Sequence, residues 1–406
     1  MEASRRRVDE AQFASGEDRT HSREEGPPAL SPGGQGDDVG GGGIAGTHSI
    51  RTIRLEEFPD RREWDSLVAR SREDSFFLRS SFLIPVWETV EKRAPIYFSQ
   101  ARLADGELVA AGLFVPGRRG SLTLLASEPG DYLDILTDRR LTDDQSATLK
   151  REMIADVLGE SGRHVLYLPH VVDSHGTTKT VLGSSGGLHG TSIRTMPAPA
   201  MRLNATDSRI NRSSFRRVEN RLARQGKVEF HQWTTPDEVV ARLPAFFDQH
   251  QRRWKGTPCE RFFADVVHRE LFVRLAESVG QTPWLRYSEL RLNGALAASH
   301  FGFRYGARFL WYKPAYERDL SKLSPGIVLI HRLIEQALAE GASELDFTIG
   351  GEAFKSRYAD VERSVSDLYV TNQWWRAAIL RTDRRARRLA RNVLNAVCGE
   401  VSSGQC

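Results

Sequence analysis

Between residues 284 and 349 the apolar positions alternate, then recur every three or four residues, then alternate again. Three runs rich in Leu, Phe, Trp and Tyr, at roughly 284–292, 296–304 and 307–313, are separated by Asn293-Gly294 and Tyr305-Gly306. Asn-Gly between apolar runs is a hairpin signal, because both central positions of its turn need positive φ. The pattern therefore predicts an antiparallel three-strand meander. A polar loop leads to Ser324-Pro325-Gly326, where Ser suits a helix N-cap and Pro the first turn. In the helix that follows, Ile327, Ile330, His331, Ile334 and Leu338 share one face, and Gly341 is placed to end it. Glu344-Leu345-Asp346-Phe347-Thr348 then reads as a short strand running into Gly350-Gly351.

The same order of elements is predicted upstream. Ile53–Leu55 reads as a strand, followed by a helix carrying Trp64, Leu67 and Val68 and another carrying Pro85, Trp87 and Val90. Strands over 96–103 and 107–115 flank Asp105-Gly106, and a further strand covers 121–126. A helix over 143–158 turns Leu149, Met153, Ile154 and Val157 inward, and 163–168 closes the series as a strand. The repeat of pattern predicts an α/β (α+β) fold of two tandem halves, each a mixed, mostly antiparallel sheet flanked by helices. The expected divisions are a disordered tail over 1–48, a first half over 49–175, and a Gly-, Ser- and Thr-rich linker over 176–200. A second half over 201–373 and a basic amphipathic helix and tail over 374–406 complete the chain.

Composition narrows the class. The 406 residues are 40% apolar and 27% charged, as in a soluble globular protein, and the net charge of +4 does not by itself argue for nucleic acid. No apolar run is long enough to span a bilayer. The first residues, MEASRRRVDEAQ, have no apolar stretch behind their basic residues, so no secretory leader is expected. Cys259, Cys398 and Cys406 are odd in number and lack zinc-site spacing, which fits a reducing compartment and no metal. The expected place is the cytoplasm. The tail sets Trp374, Trp375, Ile379, Leu389, Val393 and Leu394 among seven arginines. Such a helix either packs on its own domain or lies on an anionic membrane face.

The second half carries a closer likeness. Gly294, the run Phe301-Gly302-Phe303-Arg304-Tyr305-Gly306, Tyr312, Ala315-Tyr316, Leu323-Ser324-Pro325-Gly326, Gly341, Asp346-Phe347, Gly350, Glu352, Lys355 and Tyr358-Ala359 together resemble the BioF2-like acetyltransferase domain of the N-acetyltransferase (GNAT) superfamily. That family groups with CelD/BcsL-type proteins of polysaccharide biosynthesis and is related to the FemABX transferases. The resemblance implies two GNAT-like halves, the first a degenerate copy. It also implies transfer of an acyl group from acetyl-CoA or another acyl-CoA to an amine or hydroxyl of a sugar or polysaccharide precursor. Two alternatives stay open: a FemABX-like transferase using aminoacyl-tRNA, and a non-catalytic accessory subunit of an exopolysaccharide synthase. DNA and RNA are not expected partners, whereas peripheral association with membrane polysaccharide machinery is.

Candidate residues follow from both readings. Leu323, Ser324, Pro325, Gly326 and Ile327 stand where free N–H groups at a helix start suit a pyrophosphate, although the same residues make an ordinary cap. Asp346, at a strand end, and His300 are candidate proton acceptors. Tyr312 is a candidate acid for the leaving thiolate. Each also has an ordinary structural role open to it: loop anchor, core histidine, aromatic packing. Arg216 and Arg217, on a helix with five arginines, read as an anion clamp or as a solvated face. Arg253 and Trp254 match the family's HxxRW-type segment, and Glu352 and Lys355 follow in a Gly-rich loop. These six are the expected substrate-binding residues.

Overall fold

The structure is a computed structural model and describes residues 48–183, 186–204, 213–379 and Thr382. The expected N-terminal tail and most of the expected C-terminal helix lie outside the described residues. Along the first half run β1 (His48–Leu55), α1 (Arg61–Arg70), α2 (Ser80–Thr89), β2 (Ile96–Leu103), β3 (Leu108–Pro116), β4 (Leu122–Leu124) and β5 (Leu136–Thr137). Then come α3 (Asp143–Glu160), β6 (Val165–Val172), α4 (Thr177–Leu182) and β7 (His189–Pro197). The second half holds β8 (Ala200–Arg202), α5 (Ser213–Ala223), β9 (Val228–Trp233), α6 (Pro236–Val240), α7 (Leu243–Trp254) and α8 (Val266–Val279). It continues with β10 (Leu285–Leu292), β11 (Ala295–Tyr305), β12 (Arg308–Tyr316), α9 (Pro325–Ala339), β13 (Glu344–Asp346) and β14 (Ser364–Thr371).

The strands form two mixed sheets flanked by helices, as the repeat of pattern requires. One sheet runs β1-β2-β3-β4-β6-β14-β7, with β5 beside β3; the other runs β8-β13-β12-β11-β10-β9. In each, a single parallel pair, β4 with β6 or β12 with β13, interrupts an otherwise antiparallel order. The predicted meander is β10-β11-β12, and Asn293 and Gly294 take positive φ (52° and 79°) in its first turn.

The second half lends a strand to the first. β14 lies inside the first sheet, antiparallel to β6 on one side and β7 on the other. β8, which follows β7 in the chain, pairs with β13 at the edge of the second sheet. The expected linker over 176–200 is therefore corrected to a helix and an edge strand. Its Gly, Ser and Thr content hid them, but Thr177 and Val181 are buried and Thr177 donates to Asp134 (2.6 Å). The expected boundary at 373 is corrected too, since β14 completes the first half.

One face of the second sheet packs on the first half. Phe303 stacks on Phe76 with centroids 3.9 Å apart, and Phe77 meets Tyr312 at 5.4 Å, inside one apolar core common to both halves. The other face carries α9 and α5 in a separate core. The buried stripe of α9 is Val328, Leu329, Ile330, Leu333, Ile334 and Ala337, rotated from the expected face. Ile327, His331 and Leu338 turn partly outward because the helix is wedged between the sheet and α5. Each fully buried Leu or Ile there contributes about 1.5–3 kcal/mol.

Candidate active site

Strands β12 and β13 pair only from Arg308↔Glu344 to Leu310↔Asp346, and then part. The parting opens a cavity of about 360 Å³. Residues 311–316 of β12 form one wall and Phe347–Ile349 the other, while the start of α9 (Ser324–Ile327) closes the mouth. His250, Arg253 and Trp254 at the end of α7 flank it, and the first half contributes Glu128, Asp131 and His170.

The two halves treat the corresponding helix starts differently. Helix α3 is sealed by a capping box, in which Thr142 accepts from the Gln145 N–H (3.2 Å) and the Gln145 side chain accepts from the Thr142 N–H (2.9 Å). Helix α9 has no side-chain cap. Ser324 sits in the left-handed region (φ 55°, ψ 50°), and its hydroxyl instead accepts from Arg221 Nη2 of α5 (3.1 Å). A Cβ on Gly326 would press on the Tyr316 ring at 3.3 Å, so glycine lets this helix start lie close against β12. Arg253 stacks over the same Tyr316 ring (4.3 Å) and over Trp254 (4.7 Å), leaving a cation beside the helix start.

Of the residues expected to bind or react, Ser324, Pro325, Gly326, Ile327, Arg253, Trp254, Tyr312, Glu352 and Lys355 line the cavity; Leu323 stands just outside it. Lys355 is buried, pairs with Glu352 (2.8 Å) and donates to the Ile349 carbonyl (3.0 Å), fixing the loop that floors the cavity. Arg216 and Arg217 are exposed on α5, away from the lining.

The expected proton acceptors are corrected. Asp346 is fully buried and does not reach the cavity: it accepts from Tyr132 Oη of the first half (2.7 Å) and from the Thr348 N–H (2.8 Å), with Arg363 at 3.3 Å. Burial pushes its carboxyl up, against the pull of Tyr132 and Arg363. It joins the halves. His300 is also fully buried, stacked on Trp311 (4.7 Å). Its Nε2 lies 3.2 Å from the Tyr312 N–H and accepts from it, filling the bulge between β11 and β12. The ring lies where any Cβ on Gly302 would be, 2.1 Å from His300 Cε1. Tyr312 does touch the cavity, but its hydroxyl donates to the Pro129 carbonyl (2.6 Å), and burial raises its pKa well above the usual phenol value.

Burial drives His300 and His250 down to about 3. The unfolded chain, with histidines near 6.5, then binds protons that the native state refuses. The stability from these groups is complete above about pH 6.5 and is lost as pH falls towards 3. Each costs up to about 1.4 kcal/mol per pH unit in that window. Urea unfolding at several pH values should show this slope, and it should be shallower in His300→Gln. An unchanged slope would remove His300 from the account.

The groups that do face the cavity were less visible in the sequence. Asp131 sits in the loop between β4 and β5, beside Lys313 of β12. Burial raises the Asp131 carboxyl, while Lys313 and His170 pull it back. Burial lowers the Lys313 ammonium, which lies 4.7 Å over Phe262 and 4.9 Å over Tyr312. The loop Gly130-Asp131-Tyr132-Leu133-Asp134 resembles a recurrent loop of BioF2-like domains, but nothing local in the sequence brings it to β12.

The second half thus has a parallel pair that parts around a cavity with a helix start at its mouth, and the first half repeats the strand pattern with its helix start sealed. Residues 209–356 match the family model described as acetyltransferase (GNAT) domain. Solved structures share the fold over most of its length. FemX aligns with a TM-score of 0.55 at 9% identity, covering 79% of this chain and 96% of that one. L-PGS from Bacillus licheniformis aligns at 0.51 and 13%, covering 81% and 98%. A conserved protein of unknown function from Bacteroides thetaiotaomicron VPI-5482 aligns at 0.50 and 14%, covering 78% and 98%. Among the curated proteins none matches the sequence. Among the described residues no cluster suits a metal ion, and no helix is long and apolar enough to cross a membrane.

Proposed function

We propose that the protein transfers an acyl group from acetyl-CoA or a related acyl-CoA to an amine or hydroxyl of a sugar or polysaccharide precursor. The observation that carries the reading is the uncapped start of α9 at the mouth of a cavity made by the parting of β12 and β13. A pyrophosphate suits that start, with Arg221 and Arg253 beside it. The thioester then lies along β12, where a backbone N–H of the parted edge polarises its carbonyl. The acceptor enters from the first-half side. Its ammonium or hydroxyl gives a proton to Asp131, and the freed lone pair bonds to the thioester carbon. The carbon–sulfur bond breaks and the thiolate leaves as CoA, taking up the proton still carried by an amine, or one from solvent when a hydroxyl reacts. The sugar class rests on the resemblance of the second half to BioF2-like domains.

A second donor, aminoacyl-tRNA, is favoured by one feature: Arg216, Arg217 and Arg221 are exposed along α5 with Arg224 just past its end, and Arg221 reaches the same helix start. Calorimetric titration decides between them. Acetyl-CoA is expected to bind with a dissociation constant on the order of 10 µM, about 7 kcal/mol. Ser324→Glu with Gly326→Glu, and separately Arg253→Ala with unchanged melting, should abolish or weaken it. Absence of binding by acetyl-CoA and by longer acyl-CoAs, with transfer from aminoacyl-tRNA, would replace the first reading by the second.

A further inference from the structure

The last described element makes a surface that the acyl-transfer reading does not use. Residues 374–379 are helical and follow directly on β14. Ala377 turns inward (3% exposed), whereas Trp374, Trp375 and Ile379 are 72%, 44% and 56% exposed. Among the described residues these are three of the five large apolar side chains left exposed, and they fall within six consecutive positions. An isolated exposed apolar residue needs no explanation, but two indoles and an isoleucine within six helical residues do. Arg376 lies over the Trp375 ring (4.7 Å), so a cation stands at the margin of the apolar patch.

The sequence beyond continues the charge. Arg381, Arg384, Arg385, Arg387, Arg388 and Arg391 stand against the single acid Asp383. Indole rings favour the boundary between water and lipid, where the ring is buried and its N–H stays solvated. Arginines beside such rings are attracted to anionic headgroups, by roughly 1 kcal/mol each near the surface.

We infer that this segment seats the protein on the surface of a bilayer rich in anionic phospholipid, with Trp374, Trp375 and Ile379 as the apolar anchor and the following arginines as the electrostatic one. The helix leaves β14 at the end where Thr371 pairs with Val165. His170, which lines the cavity, meets Asp367 midway along the strand.

The test is co-sedimentation of the full chain with vesicles of phosphatidylglycerol mixed with phosphatidylcholine, and with phosphatidylcholine alone. At about 0.1 M salt the protein should pellet with the anionic vesicles at least about tenfold more than with the neutral ones. The difference should shrink at about 0.5 M salt. A Trp374→Ser, Trp375→Ser, Ile379→Ser variant and a chain ended after Asn372 should both lose the binding while keeping the parent's melting and acetyl-CoA affinity. Equal binding to neutral vesicles, no binding, or binding that survives both variants would overturn the inference. So would concentration-dependent dimers that both variants abolish, since a second copy would then cover the patch.

Discussion

Ending the chain after Glu362 is expected to unfold the first half, although every residue of that half from β1 to β7 is still present. β14 occupies an interior place in the first sheet, in ladder with β6 through Val365↔Val172 to Thr371↔Val165 and with β7 through Ser364↔Pro197 to Thr371↔His189. Val365, Leu368 and Val370 are buried in the common core. Burying them contributes about 1.5–3 kcal/mol each. The lost ladder bonds add about 0.5–1.5 kcal/mol each. Together these approach or exceed the roughly 5–15 kcal/mol that holds a whole domain folded. Hydrogen exchange should show the amides of β6 and β7 losing protection in the shortened chain, and trypsin should cut within 165–197. A shortened chain that melts as cooperatively as the parent would mean that β14 is not an interior strand.

Asp131→Asn is expected to lower the rate of acyl transfer by about 10²–10⁴ while leaving acetyl-CoA affinity within about twofold. The residue belongs to the first half and touches the acceptor side of the cavity, not the helix start. Asparagine keeps the shape and removes only the proton acceptor. The pH profile separates this from a loss of shape. A base works when deprotonated, so the parent's rate should fall as pH drops through the Asp131 pKa. Burial raises that pKa above the ordinary carboxylate value of about 3.9. The variant's residual rate should lack that limb. A full rate in Asp131→Asn would assign the proton elsewhere. A dead parent with intact acetyl-CoA binding would favour the accessory-subunit reading.

Much of the second half could be read from local pattern. Asn293-Gly294 fixed a turn, Ser324-Pro325-Gly326 marked a helix start, and both lie where the pattern put them because their signals act over a few residues. The helix start also proved to border the cavity. Asp346 and His300 have the chemistry of proton acceptors, and nothing nearby in sequence shows that Tyr132 lies 2.7 Å from the first, or that the second fills a bulge over Gly302. Asp131 stands in a loop with a family likeness, but that likeness does not say what the loop faces until the first half is packed against β12. β7 and β14 are strands because of partners far away in the chain. A Gly-, Ser- and Thr-rich stretch such as 176–200 carries little period-2 signal of its own.

The insertion of β14 into the first sheet sets a timetable for making the protein. The first half leaves the ribosome early, but an interior strand of its sheet is among the last described segments to be synthesised. Until residue 371 has emerged, β6 and β7 face each other across an empty place, each with an unpaired edge. Folding of the N-terminal half must then wait for the C-terminal one, against the usual order in which domains fold as they appear. A stalled or truncated product would expose two sticky edges, so heterologous production should be sensitive to premature termination. The same dependence binds the first half to the second: without the C-terminal strand the first sheet is left in two pieces.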